Sequence, residues 1–131
     1  MITFNELYTK IRSAVLTAEP TAYVTATYVP KPGKFPAVFV REISRFTPTQ
    51  YVSFAHTDNV HESTIEVQIF SNKASGAKTQ ADNLLGVLEA TMRGQYYVMT
   101  SAAPVDNIDS SVYRITARFR RIVGGADTIN T

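Results

Sequence analysis

The chain contains no cysteine, which excludes a disulfide framework, a thiolate nucleophile and any cysteine-ligated zinc. It also lacks a strong charge of either sign. Its 13 Lys and Arg stand against 11 Asp and Glu, a formal net charge of +2, far from the basic excess that makes nucleic-acid binding the default reading. No apolar run is long enough to span a bilayer, and Glu6, Lys10 and Arg12 interrupt the first apolar stretch, unlike the core of a signal peptide. The chain is therefore expected to stay in the cytoplasm where it is made. Neither an internal repeat nor a low-complexity block is present.

What remains is an evenly mixed sequence of 131 residues, 44% hydrophobic and 18% charged, too apolar for a disordered chain. At this length one core is expected, burying roughly two thirds of the unfolded surface. Residues 1–123 read as a single domain. Residues 124–131, with two Gly and little apolar surface, read as a flexible C-terminal tail that frays or orders only against a partner.

Thr3-Phe4-Asn5-Glu6 fits a capping box, and Phe4, Leu7, Tyr8, Ile11 and Val15 follow at helical spacing, so a helix is predicted over 4–18, ended by Pro20. Ala22 to Val29 has strand composition, and Pro30-Lys31-Pro32-Gly33 turns the chain into a second strand, Ala37 to Phe46. The two are expected to form an antiparallel hairpin. Phe46 to His61 reads as a long loop or hairpin arm, broken by Pro48, Asp58 and Asn59, with some strand character at Tyr51-Val52-Ser53-Phe54. Thr64 to Ile69 alternates polar and apolar residues, the period of a strand buried on one face.

Ser75 is placed to cap a second helix, whose Ala77, Ala81, Leu84, Leu85, Leu88 and Met92 form the inner stripe and which stops at Gly94. Gly86 inside it suggests close backbone packing against the sheet or a neighbour. Gln95–Ser101 and Ser111–Val123 read as a closing hairpin, with 102–107 as its loop. The fold class is thus α+β: a mainly antiparallel sheet packed by two helices, in the order α-β-β-β-α-β-β, with the long arm before the third strand.

A search for chemistry finds little. Both histidines lie in His56-Thr57-Asp58-Asn59-Val60-His61-Glu62, where the spacing is not that of a metal motif and a polar hairpin tip is the plainer reading. Lys31-Pro32-Gly33-Lys34 lacks the run of free amides a phosphate loop needs, because two prolines supply none. Asp106 and Asp109 have turn chemistry and lack the ligand pattern of a calcium hand. Glu62 and Glu66 lie four apart on a predicted strand, with nothing to suggest a cleft. No nucleophile motif is present, no cofactor or metal is implied, and the chain reads as a structural protein rather than an enzyme.

Tyr113-Arg114-Ile115-Thr116-Ala117-Arg118-Phe119-Arg120 carries the most information. Alternation puts Tyr113, Ile115, Ala117 and Phe119 on a core face and Arg114, Arg118 and Arg120 on the other. Three explanations fit the arginines: a solvated face, contact with phosphates, or charge pairing with an acidic strand such as Glu62 to Glu66. Arg rather than Lys at all three positions favours a protein interface.

The element order, with the strand Glu66-Val67-Gln68-Ile69-Phe70, the Ala- and Leu-bearing helix ending in Met92-Arg93-Gly94, and the closing strand Tyr113 to Phe119, resembles the tail terminator and tail completion proteins of long-tailed bacteriophages. The resemblance spans nearly the whole chain. It implies a subunit that forms a ring, often a hexamer, capping the completed tail tube in the virion and presenting a surface to the head connector, with DNA passing through the lumen without specific binding. It implies no catalytic residue. A ring subunit needs two different complementary patches. The expected suppliers are the arm, with Phe46, Tyr51 and Phe54 as anchors, and the strand bearing Arg114, Arg118 and Arg120. A head–tail connector adaptor of the same assembly shares this composition, and a nucleic-acid-binding module is the reading from a different class.

Overall fold

The computed structural model describes residues 2–27, 32–48, 60–106 and 111–130. The chain runs α1 (Phe4–Ala18), β1 (Tyr23–Thr25), β2 (Ala37–Phe46), β3 (Val60–Ser71), α2 (Ala77–Gly94), β4 (Val98–Pro104) and β5 (Tyr113–Gly124). The strands form one sheet in the order β1-β2-β3-β5-β4, so the α+β class and the element order match the sequence reading.

At the start of α1 the capping box is complete. Thr3 Oγ1 accepts from the Glu6 N–H at 3.2 Å, and Glu6 Oε2 accepts from the Thr3 N–H at 2.9 Å. The helix buries Leu7, Ile11 and Val15, the stripe its spacing predicts. Phe4 and Tyr8 lie on the same helix with ring centroids 6.0 Å apart.

β1 departs from expectation: it pairs parallel to β2, with Tyr23 opposite Ala37, and is not the first arm of a hairpin. Ala37 at the start of β2 lies opposite Tyr23 at the start of β1, so both strands run the same way, and Tyr23 N–H donates to the Pro36 carbonyl at 2.8 Å. Every other pairing in the sheet is antiparallel. β3 and β5 are the long central strands, paired residue for residue from Val60↔Gly124 to Ser71↔Tyr113.

β3 begins at Val60, earlier than predicted, so His61 and Glu62 belong to the strand. It is also buried on both faces along its second half, where Glu66 and Gln68 are covered as fully as Ile65, Val67 and Ile69. The one-sided burial read from its alternation fails because long side chains from β2 and β5 lie across the polar face.

Both ends of α2 are made differently from the sequence reading. Its N-cap is Gly76, at φ 91°, with no side-chain cap; Ser75 precedes it. Ser71 Oγ donates to Gln80 Oε1 at 2.6 Å and ties the first turns of α2 to the end of β3. At the other end Gly94 is still helical and Tyr96 takes the left-handed position at φ 64°. Tyr97 N–H reaches the Met92 carbonyl and Tyr96 N–H the Arg93 carbonyl, both at 2.9 Å, the two bonds of a Schellman stop.

The core lies between the helices and one sheet face, where Val40, Val67 and Ala117 align across the strands beneath Leu84, Leu88, Leu7 and Ile11. The closing hairpin forms, but β4 is displaced towards the loop: Ala102, Ala103 and Pro104 are paired strand residues. The segment after β5 does not hang free. Asp127 accepts from Arg121 at 2.9 Å and from the Gly124 N–H at 2.6 Å, Asn130 exchanges bonds with Gln95, and Ile129 packs on the core. Asp127 finds its partners on β5 and Asn130 at the end of α2, which composition alone does not reveal.

Gly86 is exposed, and a Cβ added there meets nothing within 4 Å, so no close packing inside the subunit explains it. Gly86→Ala is expected to raise stability by up to ~1 kcal/mol through the lower entropy of the unfolded chain. A urea titration of both proteins reads this as a higher midpoint at unchanged slope. A lower midpoint would contradict it.

Candidate assembly surface

The sheet face turned away from the helices is built from cross-strand rows set by register. Arg41, Glu66 and Arg118 form one row across β2, β3 and β5, continued by Ser101 of β4. Ser44, Thr64, Arg120 and Val98 form a second, and Phe46, Glu62 and Ile122 a third at the end of the sheet. In the other direction lie Phe39, Gln68 and Thr116, and then Ala37, Phe70 and Arg114.

Glu66 is the centre of this face. It is 3% exposed, while Arg41 and Arg118 are 49% and 52% exposed, so the carboxylate is dry and both guanidiniums are half in water. Arg41 Nη2 donates to Oε1 at 2.9 Å and Arg118 Nη2 approaches Oε2 at 3.2 Å. Gln68 Nε2 donates to Oε1 at 3.0 Å, and its own Oε1 accepts from Arg114 Nη2 at 2.6 Å. Burial on its own pushes the Glu66 carboxyl up. The Gln68 and Arg41 hydrogen bonds, with the charges of Arg41 and Arg118, outweigh that and hold it below the ordinary carboxylate range.

Of the explanations open for the arginine strand, charge pairing with the acidic strand is the one found. Arg118 pairs with Glu66, and Arg120 with Glu62 at 2.9 Å. Arg114 differs: it lies over the Phe70 ring at 5.4 Å, its Nε is buried without an acceptor, and no carboxylate pairs with it among the described residues. Arg41 lies over Phe39 at 5.9 Å. These two arginines, with Pro32 lining the same small cavity as Phe39 and Phe70, account for two buried aromatics on a face without helices.

The remaining feature of this end of the sheet is apolar surface. Phe46 and Ile122, in one row, are 48% and 45% exposed, and Val98 and Tyr96 are 68% and 67% exposed at the start of β4. Tyr96 is held under the Arg121 guanidinium at 5.4 Å. The structure therefore brings Phe46, Arg118 and Arg120 onto one face and places Arg114 on the same face towards its opposite end. Tyr51 and Phe54 lie outside the described residues. Ile122 and Val98 escaped the sequence reading, because exposure of an apolar residue is invisible without the register.

On the helix side of the same end runs a second polar chain. Tyr97 Oη donates to Ser63 Oγ at 3.0 Å, Ser63 Oγ to Glu42 Oε2 at 2.7 Å, and Arg45 Nε to Glu42 Oε1 at 3.0 Å. Arg45 also reaches the Ile2 carbonyl at 3.2 Å. Burial first, and the Glu42 charge after it, raise the Tyr97 phenol against the opposing Ser63 bond and the charges of Arg45 and Arg121, so it stays a neutral donor. Ser63 is fully buried; the chain of bonds ties the start of α1 to β2, β3 and the entry of β4.

Of the two histidines only His61 is described, with Nδ1 3.5 Å from Thr47 Oγ1. His56, Asp58, Asn59, Lys31 and Asp109 lie outside the described residues. Among the described residues no three of His, Cys, Asp and Glu gather as a metal site, and no helix is long and apolar enough to cross a membrane. Neither a protein-family model nor a curated protein matches the chain.

Because the folded Glu66 carboxyl binds its proton more weakly than the unfolded one, its ionisation contributes stability above the unfolded value. That contribution is lost as pH falls through the folded value. Urea midpoints measured from neutral pH into the acid range are expected to fall less steeply for Glu66→Gln than for the wild type. Parallel curves would show that Glu66 is not coupled to the arginines.

Proposed function

We propose that the chain is a structural virion assembly protein, a subunit of a ring that caps the phage tail tube and joins it to the head connector. The observation that carries this reading is the make-up of the helix-free sheet face, where the apolar row of Phe46 and Ile122 adjoins arginines already held by Glu62 and Glu66. Aromatic residues and arginine are the side chains enriched at protein interfaces. A guanidinium pinned by a buried carboxylate loses less freedom on meeting a partner than a loose one does.

The partners on this reading are further copies of the chain, the tail tube protein and the head–tail connector, and the location is the head-proximal end of the tail. Phe46 ends β2 at the margin of this face, and a subunit that offers two different patches suits head-to-tail contact between neighbours. A connector adaptor of the same assembly has the same needs, and the partner it binds separates the two. Arg114, without a carboxylate partner among the described residues, favours a second reading, contact with nucleic-acid phosphates. Arg118 and Arg120 weigh against it, since each already carries a carboxylate.

Incubating the purified chain with isolated tail tubes and imaging by negative stain tests the reading. Rings of one defined subunit number at one tube end are expected. Phe46→Ser with Ile122→Ser is expected to cost about 1–2 kcal/mol of binding per anchor, lowering occupancy by roughly tenfold or more while the monomer stays folded. Tube ends left bare by the wild-type chain would contradict it.

A further inference from the structure

A strand at the edge of a sheet presents unpaired N–H and C=O groups, which natural sheets blunt by shortness, charge or cover. The two edges of this sheet differ. β1 is three residues long, and its Val24 carbonyl accepts from the Tyr8 hydroxyl at 3.3 Å. β4 is seven residues long, carries no charged side chain from Val98 to Pro104, and is exposed at every position except Met99. Val105 N–H points at β5, donating to Arg114, so alternation turns the Ala102 N–H outward. Beside this edge runs an open groove of about 500 Å³, floored by Met99 and Phe119 and walled by Glu89 and Arg93 of α2.

We propose that β4 pairs antiparallel with β4 of a second copy of this chain, closing the β4 edge of each copy in one two-fold dimer. Three observations favour a second copy over a foreign strand. Two identical strands related by a two-fold axis can pair only antiparallel, the better-bonded arrangement. An uncharged strand opposes no like charge when it meets itself. The groove wall is also self-complementary. α2 and β4 are joined by the turn at Gln95–Tyr97 and run back along one another, so Arg93 stands beside the Val98 end and Glu89, one helical turn earlier, beside the Ala102 end. With the axis near Thr100 and Ser101, Glu89 of each copy faces Arg93 of the other. The pair these residues make within one chain is then doubled across the seam. A foreign strand supplies the backbone bonds but not this exchange.

The dimer goes beyond the tail-cap reading and does not rest on it: it is a property of the free chain, whereas the ring is sought on tail tubes. Light scattering of the full chain across concentration is expected to give twice the 14.5 kDa chain mass. Ser101→Lys, which sets two ammonium groups together at the axis, and Ala102→Pro, which removes an outward N–H, are each expected to abolish the dimer with an unchanged thermal melt. Because the chain has no cysteine, Ser101→Cys treated with a copper–phenanthroline oxidant is expected to yield one covalent dimer and nothing larger. Glu89→Arg is expected to weaken the dimer and Glu89→Arg with Arg93→Glu to restore it. A wild-type monomer, a larger closed ring in free solution, a dimer unaffected by both edge variants, or a double reversal that fails to restore pairing would each overturn the proposal.

Discussion

A carboxylate with almost no access to water, on the central strand of a sheet face that has no helix above it, is the constraint on which the outer half of this molecule depends. Glu66 is sustained there by the Gln68 amide of its own strand and by register, which delivers Arg41 from β2 and Arg118 from β5 to its two oxygens. The half-exposed guanidiniums screen the carboxylate from water while their own charge is partly solvated, so the desolvation cost falls mainly on one group. A slip of one residue between β3 and β5 would turn Arg118 into the core, which makes the ion pair a check on register as well as a contact.

This arrangement changes what the outer face is. Four arginines on two strands would otherwise be a basic surface; with Glu66 and Glu62 of the strand between them they become a mosaic of mixed charge. The guanidiniums of Arg41 and Arg114 meanwhile lie over Phe39 and Phe70, as a helix would elsewhere. On the other side of the sheet the Tyr97–Ser63–Glu42–Arg45 chain fixes the start of α1 and the entry of β4 to the central strands. The same end of the molecule is locked from within and leaves Phe46, Ile122 and Val98 exposed without. Rigid apolar groups beside immobilised arginines suit docking, since little freedom remains to be lost on contact.

Elements defined by local pattern were legible in the sequence: the capping box and apolar stripe of α1, the stripe of α2 and the alternation of β5 all appear where spacing puts them. Decisions made at a distance were not. Nothing local tells β1 to run parallel to β2, because the direction is a matter of pairing and not of the composition of either strand. Glu66 reads as an outward residue of an alternating strand until the neighbours of that strand are known. α2 ends at Gly94 as its sequence suggests, but the left-handed position that glycine usually takes falls to Tyr96. Of the candidate site, Phe46, Tyr96, Arg118 and Arg120 were within reach of sequence reasoning; Ile122 and Val98 required the register.

Whether the arginines serve the sheet and a protein partner, or instead grip a phosphate backbone, separates the two functional readings most directly. The deciding measurement is equilibrium binding of the full chain to single- and double-stranded DNA over a range of salt concentrations. With Arg118 and Arg120 already neutralised by Glu66 and Glu62, no saturable binding is expected at physiological salt. Tight binding whose affinity falls steeply with salt would contradict the assembly reading and make the arginine face a nucleic-acid surface.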